Sequence, residues 1–167
     1  EAHERLWTLV SGLDPLQATS AAPGKWNALQ HMVHIHLGVK AMTAYLALPK
    51  AVILEKFGRM DRPSMDMETL TKKYYARLAQ GVVPPDRFMP PTVIVGEQEE
   101  LIVQGRTQLR LMLEALSGWS GSELDLYACP HPAMGPLTAR EMVMFTVLHA
   151  EHHRRGIERS MAGSVGQ

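Results

Sequence analysis

The chain has 167 residues, which is enough for one domain with a sizeable core and too few to expect two, so residues 1–167 are interpreted as a single domain. Its 17 basic residues balance its 17 acidic residues, so the composition favours neither nucleic acid nor a membrane surface as a partner. The single cysteine excludes an internal disulfide, and no apolar run approaches the roughly 18 residues of a membrane span, so we expect a cytoplasmic protein.

Apolar residues recur at helical spacing along much of the chain, whereas period-two alternation is nearly absent. The spacing predicts a first helix that includes residues 6–13 and ends before Pro15. It predicts a second helix that begins near Asn27, where a capping box with Gln30 is expected, and runs to about residue 48.

Residues 49–96 are rich in proline and contain one short predicted helix, over about 68–78, so they are interpreted as a long crossover. A third helix is predicted over about 97–116. After an extended segment, the T-x-x-E pattern of Thr138 and Glu141 predicts a capped fourth helix that runs to about residue 161. Four long helices joined in this way indicate an all-α protein, an antiparallel four-helix bundle with its long crossover between helices 2 and 3.

The fourth helix carries three histidines within five positions. On a helical wheel, His149 and His153 lie one turn apart on the face that is predicted to be buried. His152 lies about 60° away from His149, toward the rim of that face. The three imidazoles are therefore not equivalent.

The second helix places another histidine on its predicted buried face. His34 shares a stripe with Gly38 and Ala41, two small residues that leave space beside it. His36 falls on the opposite side and is predicted to face solvent, and His31 lies near the edge of the buried face.

A lone buried histidine is usually a hydrogen-bonded core residue, but three on facing helices would leave several polar nitrogens to satisfy. One divalent ion satisfies three nitrogens at once, and the i, i+4 spacing lets two imidazoles reach it. The pattern predicts a mononuclear site of His34, His149 and His153, with open positions for water. The chain has no Glu-x-x-His and no H-E-x-x-H pattern, which excludes the usual ligands of a carboxylate-bridged di-iron centre and of a zincin.

Five further residues have weaker claims to a role. Trp26, at a helix start, is interpreted as a packing anchor, and His131 as the hydrogen-bonding residue of a shaped loop. Cys129 has no basic neighbours that would make it a nucleophile. Glu151 and His152 flank the predicted ligands and are weak candidates for proton transfer at the rim.

Two segments, "GKWNALQHMVHIHL" and "HPAMGPLTAREMVMFTVLHAEHHRR", resemble the DinB-like superfamily of four-helix-bundle proteins, in a bacterial branch related to bacillithiol transferases and a mycothiol-dependent maleylpyruvate isomerase. In that superfamily one histidine of the second helix and an H-x-x-x-H pair of the fourth hold a metal. The resemblance assigns these positions to His34, His149 and His153. Gln30 stands where many relatives carry glutamate, and Gly156 where many carry glutamine.

The resemblance implies a metal-dependent enzyme that activates water or a low-molecular-weight thiol, as a hydrolase or thiol S-transferase acting on a small molecule. Zinc and nickel are the metals that we favour, since imidazole suits both. The resemblance also allows a homodimer. The alternative is a non-catalytic bundle that binds a metal or uses its histidines as structural pins.

Overall fold

The computed structural model describes residues 1–91 and 98–164, and most of these residues are helical. Four long helices pack side by side as one bundle. The bundle consists of α1 (Ala2–Ser11), α3 (Ala28–Leu46), α6 (Gln98–Ser117) and α8 (Ala139–Ser164). In it, α3 contacts α6 and α8, and α1 contacts the same two helices. The predicted all-α fold is confirmed.

Shorter elements connect the bundle helices. The crossover between α3 and α6 contains a helix over Met67–Ala79 (α5), which corresponds to the short helix predicted there, whereas the other short helices were not predicted. The segment that was predicted to be extended forms an antiparallel hairpin, in which Ala128 pairs with Thr138. These elements are α2 (Pro15–Thr19), α4 (Lys50–Phe57), α5 (Met67–Ala79), a 3-10 turn (Asp86–Phe88), α7 (Gly121–Leu126), β1 (Ala128–His131) and β2 (Gly135–Thr138).

The helix boundaries follow local sequence signals. The backbone N–H of Gln30 donates to Asn27 Oδ1 at 2.8 Å, and Gln30 Oε1 accepts from the Asn27 N–H at 3.0 Å, which confirms the predicted capping box. The first helix is shorter than predicted, because α1 ends at Ser11 and Pro15 begins a separate helix. Residue 97, the predicted start of the third helix, lies outside the described residues.

Helix α8 begins at a buried carboxylate that ties it to the crossover. Glu141 accepts two hydrogen bonds from the Arg62 guanidinium, at 2.5 and 2.8 Å, and one from the backbone N–H of Met65 at 2.6 Å. It also accepts the Thr138 N–H at 2.8 Å, which completes the predicted cap. Burial raises the pKa of Glu141, but the hydrogen bonds from Arg62 and the backbone outweigh this and hold the pKa below its ordinary value.

Helices α3 and α4 are separated by a short break, residues 47–49, at which the chain bends by 110°. By length and composition alone this bent pair could pass for a membrane span. No single helix in the described part of the chain is both long and apolar enough to cross a membrane.

The position of His36 is a correction to the sequence analysis, since its side chain is only 9 % exposed rather than facing solvent. The wheel assumed one buried face, but α3 packs against α6 as well as α8. The ring of His36 lies over Gly105 of α6, so closely that a Cβ at residue 105 would be 2.2 Å from His36 Nε2 and 2.8 Å from Trp7 Nε1.

This packing produces a second group of buried polar rings, formed by His3, Trp7 and His36, which we call the inner cluster. All three side chains are buried. The atoms His3 Nε2, Trp7 Nε1 and His36 Nε2 have no hydrogen-bond partner among the residues that the structure describes. Such nitrogens cost stability, on the order of 1 to 3 kcal/mol each.

Candidate metal centre

Three imidazoles from two helices converge at one point in the bundle. The Nε2 atom of His149 lies 3.1 Å from Nε2 of His34 and 3.0 Å from Nε2 of His153. His34 and His153 are buried and His149 is partly exposed. The structure therefore brings together the three residues that the sequence analysis predicted as ligands, and we call them the triad.

The positions of the three histidines along their helices direct the rings to one point. His149 and His153 are one turn apart on α8, so their side chains extend from the same face. His34 lies on α3, which packs against α8, about two turns after the Asn27 cap. A Cβ at Gly38, one turn further along α3, would lie 3.8 Å from His149 Nδ1, an ordinary contact. Gly38 therefore keeps open space beside the triad and is not needed to avoid a clash.

Hydrogen bonds to the opposite ring nitrogens orient two of the triad rings. Nδ1 of His34 lies 2.7 Å from the carbonyl oxygen of Phe88 and must donate to it, which leaves Nε2 of a neutral His34 with a free lone pair. Nδ1 of His153 lies 2.7 Å from Nδ1 of His31. When His153 donates in this pair, His31 accepts, and Nε2 of His153 also presents a lone pair to the convergence point.

Electrostatics keep the triad neutral. Burial lowers the pKa of His34, and it lowers the pKa of His149 and His153 well below 6.5, with the neighbouring histidines lowering both further. Neutral imidazole is the form that binds a metal. Two nitrogens on one tetrahedral zinc ion are about 3.3 Å apart, close to the separations in the triad. The donor set therefore fits one divalent ion such as zinc or nickel.

Aromatic rings enclose the triad. The Trp26 ring centroid lies 4.9 Å from that of His34 and 6.1 Å from that of His153, stacked on the latter at 18°. Phe145 stacks on His149 at 4.9 Å. Trp26 was predicted to be a packing anchor, and its contact with the triad was not predicted. The available signal was its place in the motif, eight residues before His34.

One side of the triad opens into a cleft of about 790 Å³. The triad, Trp26 and one face of α3 line it, together with parts of α5, α8, the hairpin and residues 82–88. Its surface is mainly apolar. The volume lies in the range of small-molecule sites, roughly 300 to 1,000 Å³.

The two weak candidates for proton transfer occupy different surroundings. His152 is partly exposed, lines the cleft and packs its ring edge-on against Tyr74, with centroids 5.4 Å apart. Glu151 forms ion pairs with Arg154 at 2.7 Å and Arg155 at 2.9 Å, and it does not line the cleft. The hydrogen bond from Arg154 is the main cause that lowers its pKa to about 2. Proton transfer by either residue stays a prediction.

His131 and Cys129 lie where the sequence analysis expected them, in the segment before α8. Nδ1 of His131 accepts hydrogen bonds from the backbone N–H groups of Ala133 and Met134, at 3.0 and 3.1 Å, which confirms its role in the turn. Cys129 is buried, and burial raises the pKa of its thiol to about 12. Such a thiol stays protonated and is a poor nucleophile at neutral pH.

Comparisons with known proteins agree with the motif resemblance. Neither a search of curated proteins nor a search of solved structures finds a match to this chain. A family model described as the DinB superfamily matches residues 1–157, a range that contains the complete triad. Because this match spans nearly the whole length, the chain belongs to the DinB superfamily.

Proposed function

We propose that the protein is a metal-dependent enzyme in which His34, His149 and His153 hold one divalent ion, zinc or nickel, to activate water or a thiol. It would act on a small molecule as a hydrolase or a thiol S-transferase. The observation that carries this proposal is the position of the triad: its three Nε2 atoms converge at the wall of an open cleft.

A divalent ion held by His34, His149 and His153 would supply Lewis acidity, which would lower the pKa of a water or thiol toward neutrality. The chain supplies orientation and shielding. The carbonyl of Phe88 and the ring of His31 fix the tautomers and planes of two ligands. Trp26 and Phe145 cover the triad from two sides, so the cleft is the approach that remains for a substrate.

The cleft also favours an enzyme over a structural pin. A structural metal site is closed by protein ligands, whereas a catalytic site keeps a position open to substrate. Here three protein nitrogens converge and the space in front of them is continuous with the cleft. The rest of the proposal follows the resemblance to the DinB superfamily: a low-molecular-weight thiol as co-substrate, a homodimer and a cytoplasmic location.

The test begins with elemental analysis of protein purified without a histidine tag. We expect about one ion per chain in the wild type and a large loss in His149→Ala. His3→Met, a histidine variant outside the triad, should keep the ion. A wild type without a stoichiometric metal would overturn the proposal.

Ester hydrolysis and thiol transfer are then assayed with and without chelator. We expect at least one activity that chelator and His149→Ala abolish and that His3→Met retains. Metal without any such turnover would identify a non-catalytic metal-binding bundle.

A further inference from the structure

The cleft follows one stripe of α3 away from the triad. The residues on this stripe are spaced three and four apart, as one helical face requires: His34, Gly38, Ala41 and Tyr45. From His34 to Tyr45 the helix rises about 16 Å. The cleft is therefore an elongated groove whose floor consists of small residues next to the triad and larger ones at the far end.

The far end of the groove has a rigid aromatic wall. The hydroxyl of Tyr45 donates to the carbonyl of Ala128 at 3.0 Å, which fixes the ring. The ring of Phe57 lies against it, with centroids 5.8 Å apart. Other apolar side chains that line the groove include Val82 and Val83, and Val83 is 77 % exposed. An apolar ligand would cover surface that now faces water.

Charged groups are scarce along the groove. Among the described residues, no aspartate or glutamate lines it, and its two cations, Lys40 and Arg87, are both exposed at the rim. The histidines that line it cluster at the triad end. A polyanionic or sugar-like ligand would find few partners here, whereas a hydrocarbon would bury its surface.

We propose that the groove binds the extended apolar chain of a substrate whose single polar, reactive group lies at the triad. The substrate class is a carbon-rich molecule such as a medium-length acyl or alkyl compound. This inference rests on the proposed function for the role of the triad, but the binding of the chain itself needs neither metal nor turnover.

Straight-chain 1-alkanols, from butanol to decanol, are suitable probes for chelator-treated full-length protein. Binding is measured by calorimetry and by tryptophan fluorescence, since Trp26 lines the groove. We expect affinity to increase about fourfold for each added methylene until the chain reaches Tyr45, and then to level off. Cysteine, a polar thiol of low molecular weight, should bind far more weakly than octanol.

A groove-filling variant locates the binding site. Ala41→Phe places a ring midway along the floor, so the longer alkanols should bind no better than the short ones. Ala76→Phe is the matched control, because Ala76 is an exposed alanine on α5 that does not line the groove. It should behave as the wild type. Affinity that is independent of chain length, or equal in both variants, would overturn the inference.

The outcomes separate this inference from the proposed function. Chain-length-dependent binding without metal-dependent turnover supports the groove and contradicts the enzyme. Turnover that is abolished by chelator, but that is as fast for acetyl esters as for octanoyl esters, supports the enzyme and overturns the groove as the substrate site.

Discussion

The triad and the inner cluster each include one histidine of α3, His34 and His36, and they differ in what their ring nitrogens contact. In the triad, three Nε2 atoms meet at 3.0 to 3.1 Å, and two of the rings have a partner for Nδ1. In the inner cluster, the Nε2 atoms of His3 and His36 are buried without a hydrogen-bond partner in the described chain. His36 packs against a glycine instead. His34 and His153 are buried like His3 and His36, so neither burial nor residue type identifies a ligand.

A metal site is therefore recognised by two features together: ring nitrogens that converge on one point, and hydrogen-bond partners that hold the rings in place. A ligand needs its lone pair directed at a shared point and its other nitrogen held by a partner. All three triad rings meet the first condition, and His34 and His153 also meet the second, at the wall of a cleft. The inner cluster lies between packed helices, and its Nε2 atoms have no partner in the described chain.

The largest difference expected between the two groups is the effect of chelator on stability. A metal present at a thousand times its Kd stabilises the fold by about 4 kcal/mol, so chelator should lower the melting temperature of the wild type substantially. His149→Ala should melt at the same temperature with and without chelator. His36→Met should keep the full chelator effect. We use Met because an Ala at this buried position would leave a cavity.

The chelator effect should also depend on pH. A bound ion displaces protons, so the pKa of each ligand is depressed below the unfolded value near 6.5. Metal-linked stability is therefore present above that pH and is lost as the pH falls through 6 to 5. A chelator-induced shift in His149→Ala equal to that of the wild type would contradict the assignment of this ligand.

Acid titration should report on the inner cluster in metal-free protein. Burial lowers the pKa of His3 from 6.5 to about 4, so the unfolded chain binds a proton before the folded one does. Stability attributable to this ring is intact above pH 6.5 and decreases by about 3 kcal/mol as the pH falls to 4. Urea unfolding of His3→Met between pH 4 and 7 should show a slope against pH that is smaller by about one proton. An unchanged slope would mean that His3 is protonated in the fold.

Two glycine-to-alanine changes should have opposite effects on the free energy of unfolding. At Gly105 the new Cβ would meet His36 Nε2 at 2.2 Å, and overpacking of this kind costs about 1 to 3 kcal/mol, more than the gain of about 1 kcal/mol in helix propensity. At Gly156, which lies in α8, the nearest side-chain atom is Cε1 of His31 at 3.7 Å, so the propensity gain should dominate. Thermal or urea unfolding measures both. Stabilisation by Gly105→Ala would show that His36 moves easily.

A further difference between the two groups is the hydrogen-bond support of the triad rings. His31→Leu removes the partner of His153 Nδ1, and the loss of such a partner typically lowers metal affinity about 10- to 100-fold. His31→Gln, which offers an amide oxygen as acceptor, should recover part of the loss. Competition with a chromogenic chelator measures the affinity directly. Equal affinities of the Leu variant and the wild type would remove His31 from the site.

Much of the site could be predicted because its information is local. The i, i+4 spacing of His149 and His153, the phase of His34 and the two capping boxes depend only on residues within one helix. The phase of each helix then follows from its apolar face. The all-α class was predicted on the same grounds.

The residue positions that were not predicted depend on contacts between two segments of the chain. His36 is buried because Gly105, on another helix, leaves room for its ring, and no wheel of α3 contains that fact. Trp26 precedes the first turn of α3, where helical periodicity gives no direction. The bond between His31 and His153 joins residues that are 122 positions apart. Pairing of this kind is set by how the helices pack, and the sequence pattern of a single helix cannot show it.

The carboxylate of Glu141 influences the triad although it does not touch it. It holds the first turn of α8 to Arg62 and Met65, and His149 follows eight residues later, about 12 Å along the axis. A slip of one residue at this anchor would turn both α8 imidazoles through about 100°, away from His34. The crossover supplies no imidazole to the triad. It nevertheless fixes the rotation of α8 about its axis, and with it the direction in which His149 and His153 extend.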